Sequence, residues 1–117
     1  IKKKPAVVCV TTGPGGINAI NGVFGAYTDS ISMIILSGQA KRSTNMVLQK
    51  KGELRQLGDQ ENDITYMVKK ITKKTLLVKN KKDLIKNFRD IIKLSISGRP
   101  GPVWIDIPVD IQGEKVK

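Results

Sequence analysis

The 117-residue chain contains no histidine and a single cysteine. These two absences exclude an internal disulfide and a zinc site built on His and Cys within the chain. They also leave any proton transfer to carboxylates, lysine, tyrosine, water or a cofactor. Cys9 lies inside an apolar run and reads as an inert core residue. A lone thiol suits a reducing cytoplasm. Aromatic residues are scarce, at 4%, while 21 Lys and Arg face only 10 Asp and Glu, for a net charge of +11. Such an excess points to nucleic acid or an anionic membrane when aromatics and a binding motif accompany it. Neither does here, so the charge reads as a lysine-rich solvated surface that governs solubility rather than fold. No apolar run is long enough to cross a bilayer. Lys2-Lys3-Lys4 leads into a short apolar run and then Gly-Pro, which is not a signal-peptide pattern. The chain opens on Ile1 rather than methionine, and we expect it to be cut from something longer.

What is present is an alternation. Val7-Val8-Cys9-Val10 is a continuous apolar run, predicted as a strand over 6–12 covered on both faces. Gly13-Pro14-Gly15-Gly16 then breaks the strand and opens a helix from Gly15 to Tyr27, with proline suited to the first turn. Ile17, Ile20, Phe24 and Tyr27 recur at helical spacing and are expected to form its buried stripe. Ile31–Ser37 reads as a second buried strand ending at Gly38. Gln39 to Gly58 is polar and irregular, the kind of long loop that is usually functional or mobile. A short helix is predicted over Asp59–Val68, capped by Asp59 or Asn62. Ile71–Val78 reads as a third strand, at an edge because of its lysines. The clearest helix runs from Asn80 or Lys81 to Ser97 and stops at Gly98. Pro102–Pro108 is the last strand. Strands alternating with helices imply one α/β domain over 1–117, a mainly parallel sheet flanked by helices.

Three features could carry chemistry. The glycine turn sits where open α/β sheets bind ligands, at the carboxyl end of a strand. It is neither a P-loop, which requires Gly-Lys-Ser/Thr, nor a dinucleotide fingerprint. Asn18 lies in the first helical turn, where its amide can point at whatever the turn holds or make a local helix-start hydrogen bond. Asp106, between Ile105 and Ile107, reads as structural, paired with Arg99 or capping a neighbour, with a catalytic role as the alternative. Asp59-Gln60-Glu61 opens the short helix, where acids would answer its N-terminal dipole.

In order and at family spacing, several runs resemble the pyrimidine-binding domain of thiamine-diphosphate enzymes. They are Thr11-Thr12-Gly13-Pro14-Gly15-Gly16-Ile17-Asn18-Ala19, Gly22 with Ala26-Tyr27 and Asp29-Ser30, Ser37-Gly38-Gln39, Gln60-Glu61, Ile71-Thr72-Lys73, and Ser97 through Pro108 with Asp110-Ile111-Gln112. The nearest likeness is to acetolactate-synthase-like enzymes. Leu54 through Glu61 is similar to a subgroup associated with surface-polysaccharide sugars.

The resemblance implies cofactor-binding roles for Gly13, Pro14, Gly15 and Asn18, with Pro14 and Gly15 as the wall against the aminopyrimidine and Asn18 beside the same ring. It implies that Gln60 faces the substrate pocket. Asp59 stands where the family commonly has Phe, which leaves pyruvate specificity open. The family's activating glutamate would lie upstream of Ile1. Its diphosphate and Mg²⁺ would sit on another domain, so this chain holds no metal site, and flavin use stays open. The chain therefore reads as the C-terminal two-thirds of one such domain, incomplete at its N-terminus and inactive alone. The whole protein would be a cytoplasmic homodimer or tetramer. It would decarboxylate pyruvate and transfer the two-carbon unit to a 2-keto acid or keto-sugar. The alternatives are a non-catalytic structural or regulatory domain of the same fold and a basic nucleic-acid binder.

Overall fold

The computed structural model describes residues 4–115. Four strands form one parallel sheet: β1 (Ala6–Val10), β2 (Met33–Gln39), β3 (Lys74–Leu77) and β4 (Pro102–Pro108). Their spatial order is β1-β2-β4-β3. Helix α1 (Pro14–Thr28) links β1 to β2. A one-turn helix, α2 (Ile64–Met67), precedes β3, α3 (Lys81–Ile96) links β3 to β4, and α4 (Val109–Gln112) follows β4. The α/β class and the parallel sheet are as the alternation implies.

Two cores sandwich the sheet. On one face Ile35 and Trp104 pack with Val23 of α1 and with Ile64 and Val68. On the other, Ile34, Val103 and Ile105 pack with Ile91 of α3 and with Val78 and Ile111. β4 is central and buried along nearly its whole length, which suits its apolar run.

β1 departs from expectation. It is an edge strand, with Val7 60% exposed and Cys9 exposed rather than in the core. The cause is lateral: α3 lies against β4 and β2, so nothing in the described chain covers Val7 and Cys9. Of the stripe expected on α1, only Ile20 packs against the core around Trp104. Ile17, Phe24 and Tyr27 are exposed, while Gly16, Val23 and Ala26 are buried. Small residues decide this face, because a Cβ on Gly16 would lie 3.3 Å from Ile64 Cγ1 and 3.6 Å from Trp104 Cζ2. A larger residue at Gly16 would crowd Ile64.

The predicted helix over Asp59–Val68 shrinks to α2, and neither Asp59 nor Asn62 caps it. Asp63 does, accepting from the Tyr66 N–H. β2 starts later than expected, at Met33. α3 matches closely, with Asn80 as its N-cap and Gly98 at φ +56° just past its end. That end is held from β3's side. Lys73 Nζ donates to the carbonyls of Leu94 and Ser97 at 2.6 Å each, setting a cation on the negative pole of the helix. Replacing Lys73 with methionine keeps the stem and removes the charge. We expect a loss of about 1 kcal/mol of stability, read as a lower denaturation midpoint of the full-length protein. An unchanged midpoint would assign the contact no weight.

Candidate functional site

The glycine turn lies at the carboxyl end of β1 and opens α1, with Pro14 in the first helical position. Gly13 adopts φ +56° and ψ −116°, a conformation open to glycine. A Cβ there would stand 2.2 Å from the carbonyl oxygen of Gln60. A Cβ on Gly15 would stand 2.7 Å from the Thr11 methyl. The space on the Cβ side of each glycine is therefore filled by the chain itself. On the outward side, Pro14 and Asn18 are both exposed, within the first turns of one helix. The structure thus brings Gly13 and Gln60 into contact and leaves Pro14 and Asn18 facing out.

Gln60 is itself unusual. It has φ +52°, one of three positive-φ non-glycine residues among those described, and its side chain is exposed. Such a conformation costs about 1–3 kcal/mol and persists only where the surroundings impose it. The neighbouring Glu61 is firmly held. Its carboxylate is buried and accepts from the backbone N–H groups of Met46, Leu57 and Gly58. Glu61 therefore gathers the long loop around one carboxylate instead of answering a helix dipole. Arg42 ties the start of that loop to Asp110 at 2.7 Å and Glu114 at 2.9 Å.

Behind the turn lies a buried polar chain. Asp106 sits in register with Ser37 across β4 and β2 and is 1% exposed. Ser37 Oγ donates to Asp106 Oδ1, and Trp104 Nε1 donates to Ser37 Oγ at 2.7 Å. Gln39 Nε2 donates to Asp106 Oδ2 at 2.8 Å. Among the described residues no cation joins them. Arg99, the partner expected from sequence, instead donates to Ser30 Oγ and the Thr28 carbonyl. Burial pushes the Asp106 carboxyl up to about 6. The Ser37 and Gln39 hydrogen bonds oppose that rise, and the charge of Asp63 adds to it.

A cavity of about 570 Å³ opens at the same end of the sheet, lined by Cys9, Thr11, Thr12, Leu36, Gln39 and Gln112 among others. Pro14, Asn18 and Gln60 do not line it. Among the described residues there is no cluster of three His, Cys, Asp or Glu side chains able to hold a metal. No helix there is long and apolar enough to cross a membrane. Sequence reasoning missed Gln39 and Glu61 as organisers. A usable signal was present: Ser37, Gln39 and Asp106 are polar residues near the carboxyl ends of two otherwise apolar strands.

The model of the N-terminal TPP binding domain of thiamine pyrophosphate enzymes matches residues 1–63. The acetolactate synthase large subunit of Buchnera aphidicola from Acyrthosiphon pisum is 41% identical over 108 residues, covering 92% of this chain and 17% of that protein. Acetolactate synthase isozyme 3 large subunit of Escherichia coli K12 is 39% identical over 105 residues, 90% of this chain and 17% of that protein. The chloroplastic acetolactate synthase of Arabidopsis thaliana is 34% identical over 112 residues, 93% of this chain and 15% of that protein. The chain thus spans about one sixth of the length of the curated relatives it matches.

Proposed function

The chain belongs to the thiamine pyrophosphate enzymes, as an acetolactate-synthase-like part of their N-terminal domain, and we propose that it builds the aminopyrimidine-side wall of a thiamine diphosphate site. On this reading it is the C-terminal two-thirds of a pyrimidine-binding domain, inactive alone. The longer protein is a carboligase that takes a two-carbon unit from pyruvate and passes it to a 2-keto acid or keto-sugar.

One observation carries the reading. Pro14 and Asn18 stand exposed on a turn at the carboxyl edge of a parallel sheet, while the chain itself fills the space beside Gly13 and Gly15. The donor set fits a flat heteroaromatic ring. Proline offers an apolar face without an N–H, and the Asn18 amide carries both donors and an acceptor for a ring edge. Thiamine diphosphate, when bound, supplies the electron sink for decarboxylation. This chain's residues orient and shield. Pro14 would exclude water from one side, Asn18 would fix the ring's rotation, and Gln60 would face the keto acid. The diphosphate and its Mg²⁺ fall to another domain, and the site closes between two subunits of a homo-oligomer.

The test uses the full-length protein. Asn18→Ala should weaken thiamine diphosphate binding about tenfold, the loss of one hydrogen bond to a shielded partner. Gln60→Ala should raise KM for the keto acid and leave cofactor affinity unchanged. Wild-type affinity in the Asn18 variant would remove this turn from the site.

A further inference from the structure

Gln39 closes β2 with its side chain 4% exposed and all of its hydrogen-bonding capacity in use. Its Nε2 donates to Asp106 Oδ2 at 2.8 Å and to the Asn62 carbonyl at 3.0 Å. Its Oε1 accepts from Thr12 Oγ1 at 3.2 Å and from the Ala40 N–H at 2.9 Å. A primary amide offers two donors and two acceptor positions, so nothing is left over. The orientation is also fixed. Turning the amide over would set its NH₂ against the Ala40 N–H and its oxygen against both the Asn62 carbonyl and the Asp106 carboxylate. Asp106 is held in turn by Ser37, and Ser37 by Trp104. The amide is therefore anchored to the most buried strand of the sheet.

The partners it joins lie on the two separate segments of the proposed site. Thr12 directly precedes the Gly13 turn, and Asn62 follows Gln60 by two residues. The two segments also meet where Gly13 packs against the Gln60 carbonyl, a contact without a hydrogen bond of its own. We propose that Gln39 is a positioning residue that locks the Pro14–Asn18 turn to the Gln60 loop, so that the cofactor wall and the keto-acid side move as one unit. What the two segments bind rests on the thiamine diphosphate reading. The coupling between them does not.

Thr12→Val in the full-length protein removes one bond to Gln39 at nearly constant volume, at a partly exposed site. Thr12→Ser keeps the hydroxyl. Without cofactor, amide hydrogen exchange in the valine variant should rise about fivefold over residues 11–18 and also over residues 58–63, with the melting temperature unmoved. Thiamine diphosphate Kd and keto-acid KM should rise together by a similar factor, and serine should restore all four readings. Faster exchange confined to the neighbourhood of Thr12, or unchanged Kd and KM beside faster exchange, overturns the proposal. A wild-type protein that binds no thiamine diphosphate sinks the functional reading instead, and the exchange pattern still decides the coupling.

Discussion

Gly13→Ala in the full-length protein should cost about 3 kcal/mol or more of stability and displace Gln60. Two independent effects add there. The backbone at φ +56° and ψ −116° is strained for any residue with a Cβ. The new methyl would also stand 2.2 Å from the Gln60 carbonyl oxygen, well inside van der Waals contact. Backbone cannot give way as a flexible side chain does, so the turn or the loop must move. Denaturant unfolding reads the first effect and the keto-acid KM reads the second. A near-neutral Gly13→Ala would show that the turn and the Gln60 loop are not pressed together as described. Gly22 is the control, since a Cβ there meets nothing within 4 Å on the same helix.

The second large effect belongs to Asp106 and to pH. Its carboxyl is pushed up to about 6 in the folded protein from an ordinary value of 3.8, chiefly by burial. The folded state therefore binds this proton more tightly than the unfolded state does. The resulting stabilisation is complete below the ordinary value and is lost as pH rises through about 6. Between pH 4.5 and 7 the group alone should remove about 2 kcal/mol. Asp106→Asn cannot titrate. The stability difference between wild type and this variant should thus slope downward over that interval, whatever the other groups do. Asp110 works in the opposite sense. Desolvation would raise it, but the hydrogen bonds and charge of Arg42 hold it low, so its contribution fades only at more acid pH. A flat difference between wild type and Asp106→Asn would mean that water reaches Asp106.

The order of strands and helices was legible because each element carries its own period. α3 keeps an apolar face, Asn80 caps it and Gly98 ends it. β4 is an apolar run bounded by prolines. Which faces are buried was less legible, because burial depends on what lies alongside. Val7 and Cys9 look like core residues and sit at an uncovered edge. On α1, size misled in the other direction. The large residues Ile17 and Phe24 face out, and Gly16 and Ala26 make the close contact.

The candidate site was legible in part. The turn and its position at the end of a strand followed from the glycines and proline. The loop from Gln39 to Gly58 looked unstructured, because its organiser is one side chain, Glu61, and the backbone groups that it gathers lie as far away as Met46. Gln39 stayed hidden for the same reason, since its partners span Thr12 to Asp106.

The central claim is that the outward side of the turn is one wall of a thiamine diphosphate site. A crystal structure of the full-length protein soaked with thiamine diphosphate and Mg²⁺ tests it most directly. The aminopyrimidine ring should lie against Pro14, with the Asn18 amide within hydrogen-bonding distance of the ring. A bound cofactor whose ring lies away from Pro14 and Asn18, with both still in solvent, would contradict it.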